Sequence, residues 1–325
     1  MTDQTDTQSL PSTMTALRAH QRGGPEQLVV EEAPRPEPAS GETLVDVHAA
    51  AITFTELNWD ETWTRNGQDR TPVIVSHEFS GVVASLGPDQ PQDGPAVGDP
   101  VFGLVPFDRD GAAAHYVVVP TSNIAIKPEG LSHVEASSLP LAAATAWQSL
   151  VTHAHVQPGE QVLILGGAGA VGNFAVQIAL DLGAEVTTTV LHSHLPYVRG
   201  LGATRVVDAD DEGWEDLDPG FDVVIDTVGG DTLIRSFKLL RPGGRLVTLM
   251  GPPDPHLAAA HQVDATFFIV RADPDALREI ADLADSKRLD IEIAATFPLA
   301  EGPAAYKSGA TTPRPPGKTV LIVSS

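Results

Sequence analysis

The chain has 325 residues, 42% hydrophobic and 19% charged, which fits a globular protein long enough for two cored domains. Its formal charge is −23, with five lysines (Lys127, Lys238, Lys287, Lys307, Lys318) and 43 acidic residues, a balance that argues against nucleic acid and anionic membranes as partners. There is no cysteine, so disulfides, thiolate zinc sites, iron–sulfur clusters and a cysteine nucleophile are excluded together. Residues 1–13 are polar and lack the basic, apolar pattern of a signal peptide; a disordered tail on a cytoplasmic protein is expected.

Residues 14–128 read as a β-rich module, with short alternating strands at 14–19, 27–31, 42–49, 81–86 and 114–120 between Gly/Pro-rich turns. Few breakers interrupt 132–154, which predicts two helices separated by Pro140. From residue 161 strands and helices alternate: strands at 161–165, 185–190, 205–208, 223–226 and 244–250, with helices after the first and near 196–201 and 232–240. That alternation predicts an α/β architecture, a doubly wound parallel-sheet Rossmann module over 129–271. A further apolar strand is expected at 265–270 and an amphipathic helix at 274–287, with Leu277, Ile280 and Leu283 on one face. Strand segments at 291–295 and 297–299, a short helix ending at Ser308 and a strand at 319–323 close the chain; the last is expected to return to the first module, making it 14–128 with 272–325.

The alternating half is organised around Gln161-Val-Leu-Ile-Leu-Gly-Gly-Ala-Gly-Ala-Val-Gly172, a strand followed at once by Gly167-x-Gly169-x-x-Gly172 and a helix. In a dinucleotide site, Gly167 permits the tight turn, Gly169 admits a pyrophosphate to the backbone, and Gly172 lets helix pack on strand. The helix N-terminus offers free N–H groups and a positive dipole end to phosphate. Enzymes that prefer NAD carry an acid at the end of the next strand, to hold the ribose 2′-hydroxyl. Here that end is Val190-Leu191-His192-Ser193-His194, without an acid, which favours NADPH over NADH; Ser193, His192, His194 and Arg199 are candidates for the 2′-phosphate. Ser193 has a second reading, as a cap for the helix whose first turn holds Pro196.

Taken together the segments resemble the medium-chain dehydrogenase/reductase superfamily, in its zinc-free branch of zeta-crystallin-like quinone reductases and enoyl reductases. The stretches that carry the resemblance, in family order, are His77-Glu-Phe-Ser-Gly-Val-Val83, Gly98-Asp-Pro-Val-Phe-Gly103, Ala114-His-Tyr-Val-Val-Val-Pro120, Leu139-Pro-Leu-Ala-Ala-Ala-Thr-Ala-Trp147, the glycine turn, Leu201-Gly-Ala203, Asp226-Thr-Val-Gly-Gly230, Leu240-Arg-Pro-Gly-Gly-Arg245, Phe297-Pro-Leu299 and Gly317-Lys318. The resemblance implies a GroES-like catalytic domain built from both chain ends, an inserted Rossmann domain, and a nicotinamide in the cleft between them. It adds Thr145, Ala168, Ala170, Val171, Leu191, Val228, Leu249, Met250, Gly251, Phe267, Phe268 and Lys318 to the expected cofactor contacts. It also implies a homodimer paired through the strand that contains Phe267 to Val270.

Departures from the family bear on the chemistry. Zinc-dependent relatives have cysteine where this chain has Thr53, and without cysteine His77 cannot complete the usual catalytic zinc site, so no metal is expected. Metal-free quinone reductases carry Asn and Asp where this chain has Thr53 and Glu56, and Ala209 stands where many relatives have a tyrosine near the adenosine phosphate. A metal-free enzyme must reduce an acceptor that is already electrophilic, a quinone or an α,β-unsaturated carbonyl. Thr53 or Thr55 would donate to the oxygen where charge develops, with Glu56 orienting them or relaying a proton. Trp59 and Trp63 would line a flat apolar pocket, or one of them would pack in the core; their spacing of four fits a single helical face. Three readings stay open at this stage: a quinone or enone reductase, a pathway-specific enoyl reductase or tailoring enzyme, and a nucleotide-binding protein with little catalysis.

Overall fold

The computed structural model describes residues 10–210, 214 and 217–324. Of the tail expected over 1–13, residues 1–9 lie outside the described residues, and Thr13 already opens a strand, Thr13–Ala19. Among the described residues, no helix is long and apolar enough to cross a membrane.

Six parallel strands form one sheet in the order Arg205–Asp208, Glu185–Val190, Gln161–Leu165, Phe221–Asp226, Leu240–Thr248 and Asp264–Phe267. Its central strands are buried on both faces, as in all-parallel sheets, which is why Val-Leu-Ile-Leu reads as an unbroken apolar run. Strand order reverses between Gln161–Leu165 and Phe221–Asp226, and ligands of such sheets bind outside the carboxyl ends at that reversal.

A second sheet runs Ile124–Ile126, Pro100–Leu104, Glu78–Leu86, Glu42–Ile52, Lys318–Ile322 and Ile293–Pro298, with Tyr116–Pro120 also paired to Glu42–Ile52. The last strand of the chain therefore lies inside the sheet of the first module, antiparallel to Glu42–Ile52 and parallel to Ile293–Pro298. The two segments expected at 291–295 and 297–299 are one strand. A smaller sheet packs Leu28–Pro34, Thr13–Ala19 and Val73–Ile74 together. The two large sheets share a core: Phe102, Leu104 and Ala125 cluster with Val162, Ile164, Phe174, Leu277 and Ile280. Helix Pro274–Asp285, capped by the Asp273 carboxylate on Asp275 N and Ala276 N, puts its apolar face there.

Three segments differ from the expected pattern. The strand expected at 265–270 ends at Phe267, because its neighbour's last paired residue is Thr248 and the ladder has no partner beyond it. Phe268 instead stacks on His153, 4.2 Å between ring centres, and Ile269 is exposed. The second helix of 132–154, Ala142–Trp147, widens into a π-turn over Gln148–His153, where Thr145 Oγ1 bonds Leu141 O and Ser149 Oγ bonds Thr145 O. A helix at Pro255–His261 was not expected, though Asp254-Pro255 carries its start signal: the Asp254 carboxylate accepts from His256 N at 2.8 Å.

One half-buried contact implies a pH dependence. His133 stacks on His48 and bonds Ser80 through Nδ1, and burial, then the neighbouring His48 and Lys127, push its pKa down to about 4. A histidine depressed in the folded state binds fewer protons folded than unfolded between the two pKa values. Stability should therefore be full above about pH 6.5 and fall as pH drops toward 4, by roughly 1–2 kcal/mol once half-exposure is allowed for. Urea midpoints at pH 7.5 and 5 should differ less in His133→Gln than in the parent; equal differences would remove His133 as the source.

Candidate functional site

At the sheet reversal each motif glycine has its own geometry. A Cβ on Gly172 would stand 2.1 Å from Gly166 O, and one on Gly167 would stand 2.1 Å from Thr188 Oγ1, so these two glycines serve helix-to-strand packing. Gly169 is exposed, with only Gly166 O within 4 Å of such a Cβ, at 3.2 Å, which leaves its backbone open to a ligand. Asn173 Nδ2 ties the turn by bonding Gly169 O and Ala170 O at 2.8 and 3.0 Å. Across the reversal, buried Asp226 shapes the second loop by accepting from Val228 N, Gly229 N and Thr248 Oγ1. Leu191, Val228 and Met250, just past three strand ends, are 42%, 46% and 57% exposed, an apolar rim on a strongly acidic protein. Open glycine backbone, a ten-residue helix beginning at Gly172 and an apolar rim fit a dinucleotide. Of the other expected contacts, Ala168 and Thr145 are buried, Ala170, Val171, Leu249, Gly251 and Phe267 are half-buried, and Phe268 packs with His153.

The loop after Glu185–Val190 holds residues that reading along this strand alone missed. The parallel register sets Val190 beside Asp208, and His192 Nδ1 bonds Asp208 Oδ2 at 2.6 Å, while His192 N donates to Asp210 Oδ2. That hydrogen bond, chiefly, holds the Asp208 carboxyl below its ordinary range. Two carboxylates thus share the rim where Ser193 and Arg199 lie exposed. No side-chain cap is made by Ser193; the short turn His192–His194 leads into Leu195–Gly200 without one.

The threonine stretch follows strand Glu42–Ile52 directly. Thr53 is half-buried, accepts from Lys318 Nζ at 3.0 Å and reaches Glu78 Oε1 at 3.4 Å; Thr55 is exposed. Lys318 is 4% exposed and ion-pairs with Glu78, so its ammonium is engaged at Thr53 and Glu78, away from the glycine turn. Glu56 has no exposed surface; it accepts from Ser76 N (2.9 Å) and Tyr306 Oη (2.6 Å) and bonds His77 Nδ1 (2.8 Å). Burial, and then the Glu56 charge, push the Tyr306 hydroxyl well above the ordinary tyrosine range. So enclosed, Glu56 touches Ser76, His77 and Tyr306 and is not open to an acceptor. His77 is 3% exposed and its Nε2 has no hydrogen-bond partner.

The two tryptophans part company. Trp59 has extended backbone before a one-turn helix, Asp60–Trp63, so spacing four does not put both rings on one face. Trp59 lies half-exposed against Phe107, 5.2 Å between ring centres, and near His77. Trp63 is corrected to a core residue: it is 2% exposed and its indole N–H bonds Leu57 O at 2.9 Å, which removes it from any pocket lining. Phe107 is the aromatic wall that motif reading did not single out.

Two sets of contacts join the halves of the site. Leu141 N donates to Glu78 Oε2, and the helix that starts there carries Thr145 and packs on the glycine helix. His194 Nε2 bonds Arg314 O at 2.9 Å, and the Arg314 guanidinium lies 5.3 Å over the Phe54 ring, so the loop beside Ser193 is tied to the residue after Thr53. A cavity of about 580 Å³ elsewhere, among Arg18, Arg65, Arg70 and Arg109, has each arginine already paired to a carboxylate.

A glycine turn fit for a dinucleotide, beside a buried polar cluster, suits a dinucleotide-dependent oxidoreductase. Comparison with known proteins agrees: residues 39–129 match the alcohol dehydrogenase GroES-like domain, and residues 201–321 match the zinc-binding dehydrogenase family. The chain is 37% identical over 65% of its length to the mitochondrial NAD(P)H oxidoreductase RTN4IP1 of Danio rerio, and 31% identical over 76% to the 2-methylene-furan-3-one reductase of Solanum lycopersicum. These matches span 60% and 65% of those proteins. The quinone oxidoreductase structure from Coxiella burnetii superposes with a TM-score of 0.85 at 30% identity, covering 96% of this chain and all of the other. The chain belongs to the medium-chain dehydrogenase/reductase superfamily, in its zinc-free quinone reductase and enoyl reductase branch.

Zinc, which the second family description implies, does not fit these residues. Thr53 offers a hydroxyl where a thiolate is needed, and Glu78 is already neutralised by a buried ammonium that bonds Thr53 as well. His77 Nε2 is left as the one ready ligand atom of the set.

Proposed function

We propose that the protein is a zinc-independent, NADPH-dependent reductase that transfers hydride to a quinone or to the β-carbon of an α,β-unsaturated carbonyl. The observation that carries this reading is a half-buried hydroxyl, Thr53, held by a buried lysine and tied by hydrogen bonds to the elements that carry the glycine turn. The nicotinamide, when bound, supplies the hydride. Thr53 donates to the acceptor oxygen as negative charge builds there. Trp59 and Phe107 give a ring or alkenyl chain an apolar wall, and Glu56 fixes His77 beneath them. Water completes protonation, so no exposed side-chain acid is required. The relatives' printed activities, on quinones and on a methylene-furanone, support this acceptor class.

Nicotinamide fluorescence titrations with NADPH and NADH, followed by turnover on quinones and enones, test the reading. Tighter NADPH binding supports Ser193 and Arg199 as phosphate ligands; tighter NADH binding gives the rim to Asp208 and Asp210 and defeats the NADPH assignment. Binding of neither defeats the hydride-transfer reading. Thr53→Val should lower kcat about 100-fold with NADPH affinity unchanged, the scale of losing one oxyanion donor; a parental kcat removes Thr53 from the mechanism. We further propose a homodimer paired through Asp264–Phe267, the edge strand of its sheet among the described residues, with exposed Ile269 at its end. Light scattering at the mass of one chain would refute the dimer.

A further inference from the structure

We infer that Lys318 is a positioning residue for the reduction: its ammonium supplies, through Thr53, the positive charge beside the acceptor oxygen that a metal would otherwise supply. The inference rests on the reductase reading above.

Strand register puts the cluster together. Thr319 pairs with Ile52, so the antiparallel ladder brings Lys318 opposite Thr53, and Ala51 pairs with Glu78 on the other side. Three adjacent strands thus converge a hydroxyl, a carboxylate and an ammonium at one end of the sheet. Lys318 is the buried lysine among the described residues, in a chain with five lysines. Burying an ammonium is costly unless it is paired and hydrogen-bonded, and both conditions are met: Glu78 neutralises it and is itself held by Leu141 N. Burial pushes the Glu78 carboxyl up against the pull of Lys318.

The hydrogen-bond inventory sets the direction of the Thr53 proton. An ammonium only donates, so Thr53 Oγ1 accepts from Lys318 and keeps its own proton to give. Its alternative acceptor, Glu78 Oε1, is 3.4 Å away, a weak contact that an acceptor oxygen can replace. A hydroxyl that accepts from a cation is a stronger donor than one that does not. As hydride reaches the β-carbon, the C=C pair shifts toward the carbonyl and charge builds on its oxygen. Thr53 stabilises that oxygen by hydrogen bond, and water then delivers a proton to the α-carbon.

The test is a mutant cycle. Exchanging Glu78→Gln and Lys318→Met together removes the charge without leaving a buried carboxylate unpaired. Thr53→Val is then measured in the parent and in that background, with 2-cyclohexenone and 1,4-benzoquinone as probes. If Lys318 works through Thr53, the roughly 100-fold kcat loss of Thr53→Val in the parent shrinks to within about 3-fold in the charge-free background. NADPH affinity, read by fluorescence, stays within about 2-fold throughout. An equal Thr53→Val loss in both backgrounds, or a large loss of NADPH affinity on removing the charge, overturns the inference. Should the charge-free background not fold, Lys318→Arg decides: retention of charge keeps kcat within about 10-fold, and a loss as large as that of Thr53→Val counts against it. A parent that binds NADPH and reduces neither probe defeats the reductase reading itself, an outcome distinct from those above.

Discussion

Gly172→Ala should cost about 2–3 kcal/mol of stability, an overpacking penalty at a site that cannot relax. The added methyl would stand 2.1 Å from Gly166 O and 2.8 Å from Gly166 C, both backbone atoms of the turn it must preserve. For a chain of this size the thermal midpoint should fall by roughly 3–5 °C. Gly169→Ala gives the contrast. That position is exposed, and its one close neighbour would be 3.2 Å away, so stability should stay within about 0.5 kcal/mol of the parent. NADPH affinity should nonetheless fall about 10-fold or more, because the methyl fills the face a pyrophosphate would approach. A Gly169→Ala protein that binds NADPH as the parent does would show that the pyrophosphate lies elsewhere.

Glu56→Ala should be as damaging for a different reason. It strands the Ser76 amide, the Tyr306 hydroxyl and His77 Nδ1 where none can reach water. Breaking a buried charged network of this kind costs about 3–5 kcal/mol. Tyr306→Phe removes one partner and leaves the carboxylate its other two, so about 1 kcal/mol is expected. Chemical denaturation of the two variants measures the difference directly. A Glu56→Ala loss no larger than that of Tyr306→Phe would mean that the three contacts do not act as a set.

Much of this molecule could be read along the chain. Gln161–Leu165 and Glu185–Val190 fall where apolar runs and β-branched residues put them, because a strand buried on both faces leaves an unambiguous local pattern. The return of the last strand to the first module was also legible, from the incomplete pairing of its partners. What local pattern could not carry was pairing across the sequence. Lys318 meets Thr53 across 265 residues, and Asp208 meets His192 through the register of two parallel strands. Trp63 illustrates a further limit: spacing four implies one face only if the backbone is helical, and the turn at Trp59 is extended.

The position of Lys318–Ile322 within its sheet ties chemistry to the order of synthesis. The parallel strands of the dinucleotide half lie between residues 161 and 267 and can pair before Lys318 is made. The slot between Glu42–Ile52 and Ile293–Pro298 waits for residues made after that half. A product stopped before Lys318 would keep the glycine turn and lose the lysine, leaving Glu78 buried without its partner. Such fragments should hold nucleotide yet reduce nothing, so the reactive centre is completed only after the dinucleotide half has emerged.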